Sequence, residues 1–274
     1  MKFCDLTLPT PEENLACDEA LLDMCEAVLE EGVLRFWEPK QYFVVVGYAN
    51  QVATDVNITF CEAHGIPILR RCTGGGTVLQ GPGCLNYSLV LPIGDACRSI
   101  LETNRFILEQ HSTVVTHLLG QSAPAKPGAI SNPLSTPGIQ SSSRENRLQV
   151  TTERDTFAKV KWQGQTDLAI GGLKFSGNAQ RRKKKFLLFH GTFLLGLEIG
   201  MVEKTLLSPP RQPEYRRNRS HADFLMNLTL SREHLSWALR MLWQAIEPLR
   251  QFPVADIDRL VREKYGTREW NLRL

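Results

Sequence analysis

Residues 68–91 carry the most informative pattern in the chain and read Ile68-Leu-Arg-Arg-Cys-Thr-Gly-Gly-Gly-Thr-Val-Leu-Gln-Gly-Pro-Gly-Cys-Leu-Asn-Tyr-Ser-Leu-Val-Leu91. Because glycine lacks a Cβ atom, Gly74, Gly75 and Gly76 allow positive φ and a close approach of the backbone to a ligand. Successive free N–H groups in such a turn favour oxyanions. Arg70 and Arg71 can add charge-assisted contacts to a phosphate or carboxylate. The pattern is neither a Walker loop nor a dinucleotide fingerprint, and the plain alternative is a flexible hairpin with two surface arginines.

Length and composition limit the classes of protein to which the chain can belong. It has 274 residues, 42% of them hydrophobic, which predicts a single domain over residues 1–274. A net charge of +3 argues against a nucleic-acid partner. No apolar run approaches the roughly 18 residues of a membrane span, and the N-terminus is not a signal peptide. Seven cysteines without a Cys-x-x-Cys pair predict free thiols in a reducing cytoplasm and no cysteine metal site.

Hydrophobic periodicity and capping residues predict the secondary structure. Thr10-Pro-Glu-Glu13 is typical of a capping box, so a helix is expected from there to Gly32. The acidic residues Asp18 and Glu19 on this helix are expected on its solvated face. Further helices are expected at 59–64, 95–119, after Ser231 and at 256–264, and strands at 33–37, 42–47, 66–71, 167–170, 173–176 and 186–195.

Two segments stand apart in composition. Residues 120–147 are rich in serine and proline with little to bury, which predicts a mobile insertion, although an unimportant surface loop explains them equally well. Arg181-Arg-Lys-Lys-Lys185 is a run of five cations. The run is either a solvated turn or a docking site for an acidic partner, with steering that salt would weaken.

Three motifs in the same order resemble those of the lipoate–protein ligase family, within the biotin/lipoate ligase superfamily. They are Arg70-Arg-Cys-Thr-Gly-Gly-Gly with Asn86-Tyr-Ser-Leu, the segment Gln165–Arg182 around Lys174, and Leu188-Phe-His-Gly-Thr-Phe-Leu-Leu195. The resemblance implies an α+β fold, in which helices flank a mixed, mostly antiparallel β-sheet. The chain ends where many members of the family continue into a small accessory domain, so we expect the catalytic domain alone and allow for a separately encoded accessory subunit.

The resemblance also implies a reaction: ATP and Mg²⁺ activate lipoate or octanoate as an acyl-adenylate. Lys174 matches the lysine that contacts the phosphate-acyl region, where an ammonium stabilises developing negative charge. Asp167 matches an acidic residue that helps to hold Mg²⁺, although Thr166 replaces the usual asparagine before it, and Gln80-Gly81 replaces a common His-Asp. The full set of expected binding residues is Arg70, Arg71, Gly74, Gly75, Gly76, Thr77, Asn86, Asp167, Ser176, Gly177, Ala179 and His190.

The expected function is therefore an ATP-dependent lipoate–protein ligase. Its acceptors would be lipoyl domains of the 2-oxoacid dehydrogenase E2 type or the glycine cleavage H protein type. One alternative is a transferase that moves octanoyl or lipoyl groups between carrier proteins through a cysteine thioester. All seven cysteines lie between Cys4 and Cys97, away from the lysine hairpin, which leaves only Cys72 and Cys84 as outside candidates. A second alternative is a lipoate-binding protein without activity.

Overall fold

A computed structural model of the chain describes residues 1–29, 31–122 and 159–273. Most of the predicted insertion, residues 123–147, lies outside this described part. Residues 120–122, its first three, belong to the end of a long helix.

Each predicted strand and helix is present, and the structure adds several elements, most of them short, that the sequence pattern does not predict. The strands are β1 (Lys2–Asp5), β2 (Val33–Trp37), β3 (Phe43–Val46), β4 (Ile68–Arg70), β5 (Val78–Gln80), β6 (Cys84–Pro92), β7 (Val160–Gln163), β8 (Asp167–Ile170), β9 (Leu173–Arg182), β10 (Phe186–Leu194) and β11 (Glu247–Pro248). The helices are α1 (Pro11–Met24), α2 (Val52–Asp55), α3 (Ile58–Ala63), α4 (Ile100–Ser122), α5 (Ile199–Thr205), α6 (His221–Phe224), α7 (Arg232–Leu242), α8 (Val254–Leu260) and α9 (Arg268–Asn271).

Two sheets form the framework of the described part of the chain. The larger has the strand order β11-β1-β2-β6-β10-β9-β8-β7, and the smaller has the order β4-β3-β5. In the larger sheet β1 pairs in parallel with β2 and β11, and the other pairings are antiparallel. This arrangement confirms the predicted α+β fold with a mixed, mostly antiparallel sheet. Strands β6 and β10 lie at its centre, which explains why both are largely apolar.

Helices cover both faces of the larger sheet. On β2, Val33 packs in the same core cluster as α1 and α8, whereas Leu34 packs with α4 and α7. This alternation follows from the two-residue period of a strand. A third core cluster joins the smaller sheet to α2, α3 and α5. None of the helices in the described residues is long and apolar enough to cross a membrane.

Helix α1 confirms the predicted capping box, because Thr10 and Glu13 each accept a hydrogen bond from the other's backbone N–H. The expectation that Asp18 and Glu19 face solvent is wrong, since both are buried. Asp18 pairs with Arg35 of β2, and Glu19 accepts hydrogen bonds from Lys264 and Tyr265. Partners distant in the sequence thus compensate the burial of both charges.

The β8–β9 hairpin brings the lysine motif into position. Its turn is Gly171-Gly172, and both residues have positive φ, 58° and 81°, as a two-residue hairpin turn requires. The hairpin places Lys174 at the start of β9, opposite Ala169 of β8.

Candidate functional site

A cavity of about 1240 Å³ collects most of the residues that the sequence singled out. Its walls come from the glycine loop, β5, β8, β9, β10 and the segment 206–225. Eleven expected site residues line it: Arg71, Gly75, Gly76, Thr77, Asn86, Asp167, Lys174, Ser176, Gly177, Ala179 and His190. Arg70 and Gly74 are not among the described residues that line the cavity.

Lys174 is held at the cavity wall by one carboxylate. Its Nζ lies 2.8 Å from Oδ1 of Asp167, and both side chains keep some solvent access, 21% and 11%. Tyr215 donates a hydrogen bond of 2.8 Å to the other oxygen, Oδ2. A Cβ added to Gly177 would lie 2.8 Å from Nζ, so the glycine leaves the space that the ammonium occupies. The arrangement places one oriented cation in the cavity.

Arg71 shapes the glycine loop from inside. Its Nη2 donates to the carbonyl oxygens of Gly74 at 2.6 Å and Gly76 at 2.8 Å, and Nε donates to Gly74 at 3.1 Å. Burial lowers the pKa of its guanidinium to about 10. Gly75 has a φ of 86°, and a Cβ there would lie 2.9 Å from Nη2 of Arg71. Because Arg71 draws the carbonyls inward, the loop keeps one conformation.

The N–H groups of the same loop remain available. Within the described residues, none of the amides of Gly74, Gly75 and Gly76 donates a hydrogen bond to another protein group. All three residues are exposed, and two of them line the cavity. Free amides beside a cavity can stabilise an oxyanion.

Arg70 points away from the cavity. Its guanidinium donates to the carbonyl oxygens of Gly47, Tyr48 and Asn50 at 2.8–3.2 Å, and to those of Trp270 at 3.2 Å and Arg273. Its own backbone also pairs with α9, through the side chains of Trp270 and Asn271. Arg70 therefore joins the C-terminal segment to the smaller sheet.

A chain of hydrogen bonds runs from α1 to the glycine loop. Oδ2 of Asp18 lies 3.0 Å from Nδ1 of His190, and Nε2 of His190 lies 2.8 Å from Oγ1 of Thr73. Burial alone would raise the pKa of Asp18, but the bond to His190 and the charge of Arg35 outweigh it and lower that pKa. A hydroxyl, histidine and aspartate in this order can form a nucleophile and its base. Thr73, however, is only 1% exposed and is not among the described cavity-lining residues, so the chain of bonds anchors the loop.

Asn86 belongs to a closed ring of three polar side chains. Asn86 donates to Gln80 at 2.9 Å, Gln80 donates to Thr192 at 2.7 Å, and Thr192 donates back to Asn86 at 2.6 Å. The ring joins β5, β6 and β10. Thr77 is held in a similar way, since its hydroxyl donates to Oδ2 of Asp55 at 2.6 Å.

Cysteine chemistry is absent from this site. All seven cysteines of the chain are buried free thiols, and none belongs to the described residues that line the cavity. Burial raises the pKa of the Cys72 thiol to about 11 and that of Cys84 to about 12. Neither thiol is suited to act as a thiolate nucleophile.

Asp167 is poorly placed to hold magnesium. Lys174 occupies one of its oxygens and Tyr215 the other, so a metal ion would have to displace one of these bonds. In the described part of the chain, no group of three or more histidine, cysteine, aspartate or glutamate side chains is arranged to bind a metal ion.

Several residues of the site were missed by sequence reasoning. Asp18, Tyr215 and Arg216 all line the site or contact its residues. Tyr215 and Arg216 lie in the irregular, proline-containing link after Ser208, where no periodicity or motif indicates a side-chain direction. Thr73 and Thr192 lie within the motifs that resemble the family. This position was the one sequence signal that could have identified them as site residues.

Known proteins resemble the chain in sequence and in fold. The family model for the lipoyl protein ligase A/B catalytic domain matches residues 10–238. The chain is 26% identical over 289 residues to octanoyltransferase LipM of Halalkalibacterium halodurans, covering 99% of this chain and 98% of that protein. It is 31% identical over 193 residues to octanoyltransferase LipM of Lysinibacillus sphaericus, covering 69% and 63%. A structure of a bi-partite lipoate protein ligase and its E2 lipoyl domain from Thermoplasma acidophilum matches with a TM-score of 0.73 and 21% identity, covering 99% and 95%.

These relatives correct the expected reaction. The expectation of an ATP-dependent ligase is wrong, because proteins similar along almost the whole chain are named octanoyltransferases. The likeness to the ligase structure, at 21% identity, concerns the fold alone. The expectation failed because it required a transferase to carry a cysteine near the lysine hairpin, where this chain has none.

Proposed function

Because the chain belongs to the lipoyl protein ligase A/B catalytic-domain family, we propose that it is an acyltransferase that moves an octanoyl or lipoyl group from one carrier protein to a lysine of another. The donor is a thioester, and the product is an amide and a free thiol. The similarity to octanoyltransferases over 99% of the chain carries the proposal.

The cavity suits an acyl thioester. Apolar side chains line part of it, including Leu79, Leu194, Val202 and Leu206, and these can bury an alkyl chain. Lys174 supplies a cation, and the free amides of the glycine loop supply hydrogen-bond donors. The combination matches a substrate that is apolar at one end and develops negative charge at the other.

The reaction follows from these parts. The neutral amine of the acceptor lysine attacks the thioester carbonyl carbon and forms a C–N bond. Negative charge then collects on the carbonyl oxygen, where Lys174 and the loop amides stabilise it. The C–S bond breaks, and the proton that the amine loses ends on the departing thiolate. A thioester is already activated, so the step balances without a nucleotide.

The proposal involves no thioester on this chain. Its seven thiols are all buried, and Cys72 and Cys84 flank the loop with raised pKa values. Donor and acceptor therefore meet in one complex, and the acyl group passes directly between them. Holding both reactants beside one cation turns a bimolecular step into an effectively unimolecular one.

The acceptor is proposed to be a lipoyl domain, of the 2-oxoacid dehydrogenase E2 type or the glycine cleavage H protein type. The solved relative that pairs a ligase with its E2 lipoyl domain supports this class. A lysine at the tip of a small domain can enter the cavity, whereas free lysine lacks the rest of the domain for binding the enzyme.

The test is transfer from an octanoyl carrier protein to a lipoyl domain with no nucleotide present, measured by intact-mass spectrometry of the acceptor. We expect octanoylation by the wild type and a loss of about 10²- to 10³-fold with Lys174→Ala, as for removal of one oxyanion-stabilising group. Lys40→Ala is the matched control, because Lys40 is an exposed lysine that is not among the described residues lining the cavity. Circular dichroism should show that both variants fold.

Other outcomes of this assay would contradict the proposal. Octanoylation that occurs only after free octanoate and ATP are added to the assay would indicate a ligase. Binding of the acyl group without transfer would indicate a carrier or scaffold protein. Equal activity of wild type and Lys174→Ala would remove Lys174 from the mechanism.

A further inference from the structure

His221 lies on the cavity wall, and its ring has no hydrogen-bond partner there. It is the first residue of α6, is 8% exposed and lines the cavity together with Lys174 and Arg216. Within the described residues neither ring nitrogen forms a hydrogen bond, and neither is fully buried. The part of the ring that stays accessible therefore opens on the cavity.

The backbone fixes α6 against the lysine hairpin. Leu225, directly after α6, forms a β-bridge with Lys174, and the N–H of Met226 donates to the carbonyl oxygen of Lys174 at 2.9 Å. The N–H of Leu225 also donates to the carbonyl oxygen of His221 at 2.9 Å, which closes one helical turn. Four residues of helix rise about 6 Å, so His221 lies about one turn from the residue that pairs with Lys174.

Glu203 of α5 holds the start of α6 and faces the ring. Its Oε1 accepts a hydrogen bond from the N–H of Ala222 at 2.8 Å and lies 4.0 Å from Nδ1 of His221. The second distance is longer than a hydrogen bond, but the negative charge favours the neutral tautomer that carries its proton on Nδ1. Nε2 then keeps a lone pair that can accept a proton.

The surroundings of the ring keep it neutral. Burial lowers the pKa of His221, the positive charges of Arg216 and Lys174 lower it further, and the negative charge of Glu203 opposes them. These charges come from the segment 206–225, from β9 and from α5, which surround α6. A histidine with a pKa below its usual value near 6.5 is uncharged at pH 7, and only an uncharged imidazole can accept a proton.

The proposed transfer releases a proton that needs a carrier. After the acceptor amine attacks, its nitrogen carries one proton too many and would leave again unless that proton is removed. Lys174 and the loop amides are donors and cannot take it. His190 also lines the cavity, but Asp18 and Thr73 occupy both of its ring nitrogens. His221 is the histidine of the described cavity wall with a free ring.

We propose that His221 relays this proton, taking it on Nε2 from the nitrogen of the attacking lysine and passing it to the sulfur of the departing thiolate. An N–H bond of the amine breaks as one forms on the imidazole, and that bond breaks in turn as the S–H bond forms. The ring therefore ends the cycle neutral. The inference rests on the proposed acyl transfer and adds the group that moves its proton, with Glu203 as a positioning residue.

The test measures kcat and KM for transfer of an octanoyl group to a lipoyl domain between about pH 5 and about pH 8. Proton transfer by a positioned side chain contributes roughly 10²- to 10⁴-fold, so we expect kcat of His221→Ala to fall about 10²-fold or more at pH 7 and KM to change less than about threefold. Added imidazole, which can enter the space of the missing ring, should restore part of kcat.

The pH profile tests the same role in a second way. The wild-type kcat should fall as the pH drops through the pKa of His221, because the protonated ring cannot accept a proton. Glu203→Gln keeps an oxygen for the N–H of Ala222 but removes the charge that raises the pKa of His221. This variant should therefore shift the fall in kcat to lower pH, whereas a purely structural histidine would leave it in place.

His234→Ala is the matched control, because His234 is an exposed histidine of α7 that is not among the described residues lining the cavity. It should behave as the wild type with and without imidazole. Melting temperatures report whether His221→Ala folds. If it does not, His221→Gln, which keeps a polar side chain of similar length, should show the same loss of kcat.

A kcat of His221→Ala within about threefold of the wild type, or a loss that imidazole does not restore, would overturn the inference and leave His221 a structural residue. If the wild type acts only with free octanoate and ATP, the proposed function fails, but the relay is still tested, because an amine attacks an acyl-adenylate in the same way. Rescue of His221→Ala by imidazole in that assay supports the relay. No transfer by the wild type under either condition overturns both.

Discussion

At the scale of single residues, Gly177 tests the position of the Lys174 ammonium. A Cβ at residue 177 would lie 2.8 Å from Nζ and 2.9 Å from Cε of Lys174. The end of a lysine can move at little cost, so Gly177→Ala should displace the ammonium without unfolding the protein. We expect kcat to fall about tenfold or more, since a misplaced oxyanion donor loses much of its effect. Steady-state kinetics of acyl transfer would measure this fall in kcat.

Gly94→Ala is the matched control for that change, because nothing lies within 4 Å of the added Cβ there. The two alanine variants should have similar melting temperatures. A kcat unchanged in Gly177→Ala would mean that the exact place of the ammonium is unimportant for the reaction.

At the same scale, the lowered pKa of Asp18 leads to a prediction of how the stability of the protein depends on pH. Its lowered pKa means that the unfolded chain takes up the proton first as the pH falls below about 4. The stability that the carboxylate contributes is therefore present above that pH and is lost as the pH falls through the folded-state pKa. Asp18→Asn leaves Arg35 buried and unpaired, which should cost about 3–5 kcal/mol at pH 7. Urea unfolding at pH 7 and at pH 3 would measure both effects.

The difference in stability between wild type and Asp18→Asn should shrink at the lower pH, because the unfolded wild-type chain then binds a proton at Asp18 that the folded chain releases. A constant difference would show that the Asp18 charge does not contribute. Asp23→Asn on the same helix is a suitable control, since Asp23 is partly exposed and paired with Lys183 at the surface.

Features set by short motifs could be predicted from the sequence, whereas contacts between distant residues could not. The three consecutive glycines predicted the loop, because a backbone with positive φ depends on the residue itself. The partners of Asp18 and Arg70 could not be predicted, since they come from positions far away in the chain. A buried charge and a solvated one look the same in a single sequence until the fold supplies the partner.

At the scale of elements, α9 and the smaller sheet depend on each other through Arg70. Carbonyl oxygens from the loop after β3 and from the C-terminal segment all meet at this one guanidinium. The residue next to it, Arg71, bonds the glycine loop and lines the cavity. Arg70 is the last residue of β4 and Arg71 follows it directly, and their side chains point to opposite sides, so one stabilises the fold and the other faces the site.

Arg70→Lys should therefore lower the melting temperature rather than the affinity for substrate. A lysine cannot reach five carbonyl oxygens, and each buried acceptor left without a donor costs about 1–3 kcal/mol. Asn271→Ala, which removes the acceptor for the Arg70 backbone N–H, should lower the melting temperature as well. Differential scanning calorimetry measures this loss. A large rise in KM for the acyl donor with unchanged stability would instead assign Arg70 to the ligand.

At the scale of the whole molecule, each element around the cavity contributes a different functional group to it. The larger sheet contributes Lys174 and His190, the glycine loop contributes free amides, and the segment 206–225 contributes Arg216. Segment 206–225 has no regular periodicity, so the position of Arg216 in the site could not be predicted from the sequence. The motifs predict that an acyl group reacts here, whereas the residues of the irregular segment could be assigned to the site only from the fold.

The basic run Arg181–Lys185 lies at the other end of β9 from Lys174. We therefore expect it to affect docking of the acceptor and not the chemical step. Arg181, Arg182 and Lys183 are engaged within the protein, and Lys184 and Lys185 are exposed. Eight residue steps along β9 lead from Lys174 to Arg182, the last strand residue before the turn with Lys184, which corresponds to roughly 26 Å. Lys184→Gln with Lys185→Gln should raise KM for an acidic acceptor about two- to threefold at low salt and not at about 0.5 M salt. Lys40→Gln with Lys159→Gln removes the same two charges from other exposed positions. A rise above tenfold that persists at high salt would place the acceptor's docking site directly on the run.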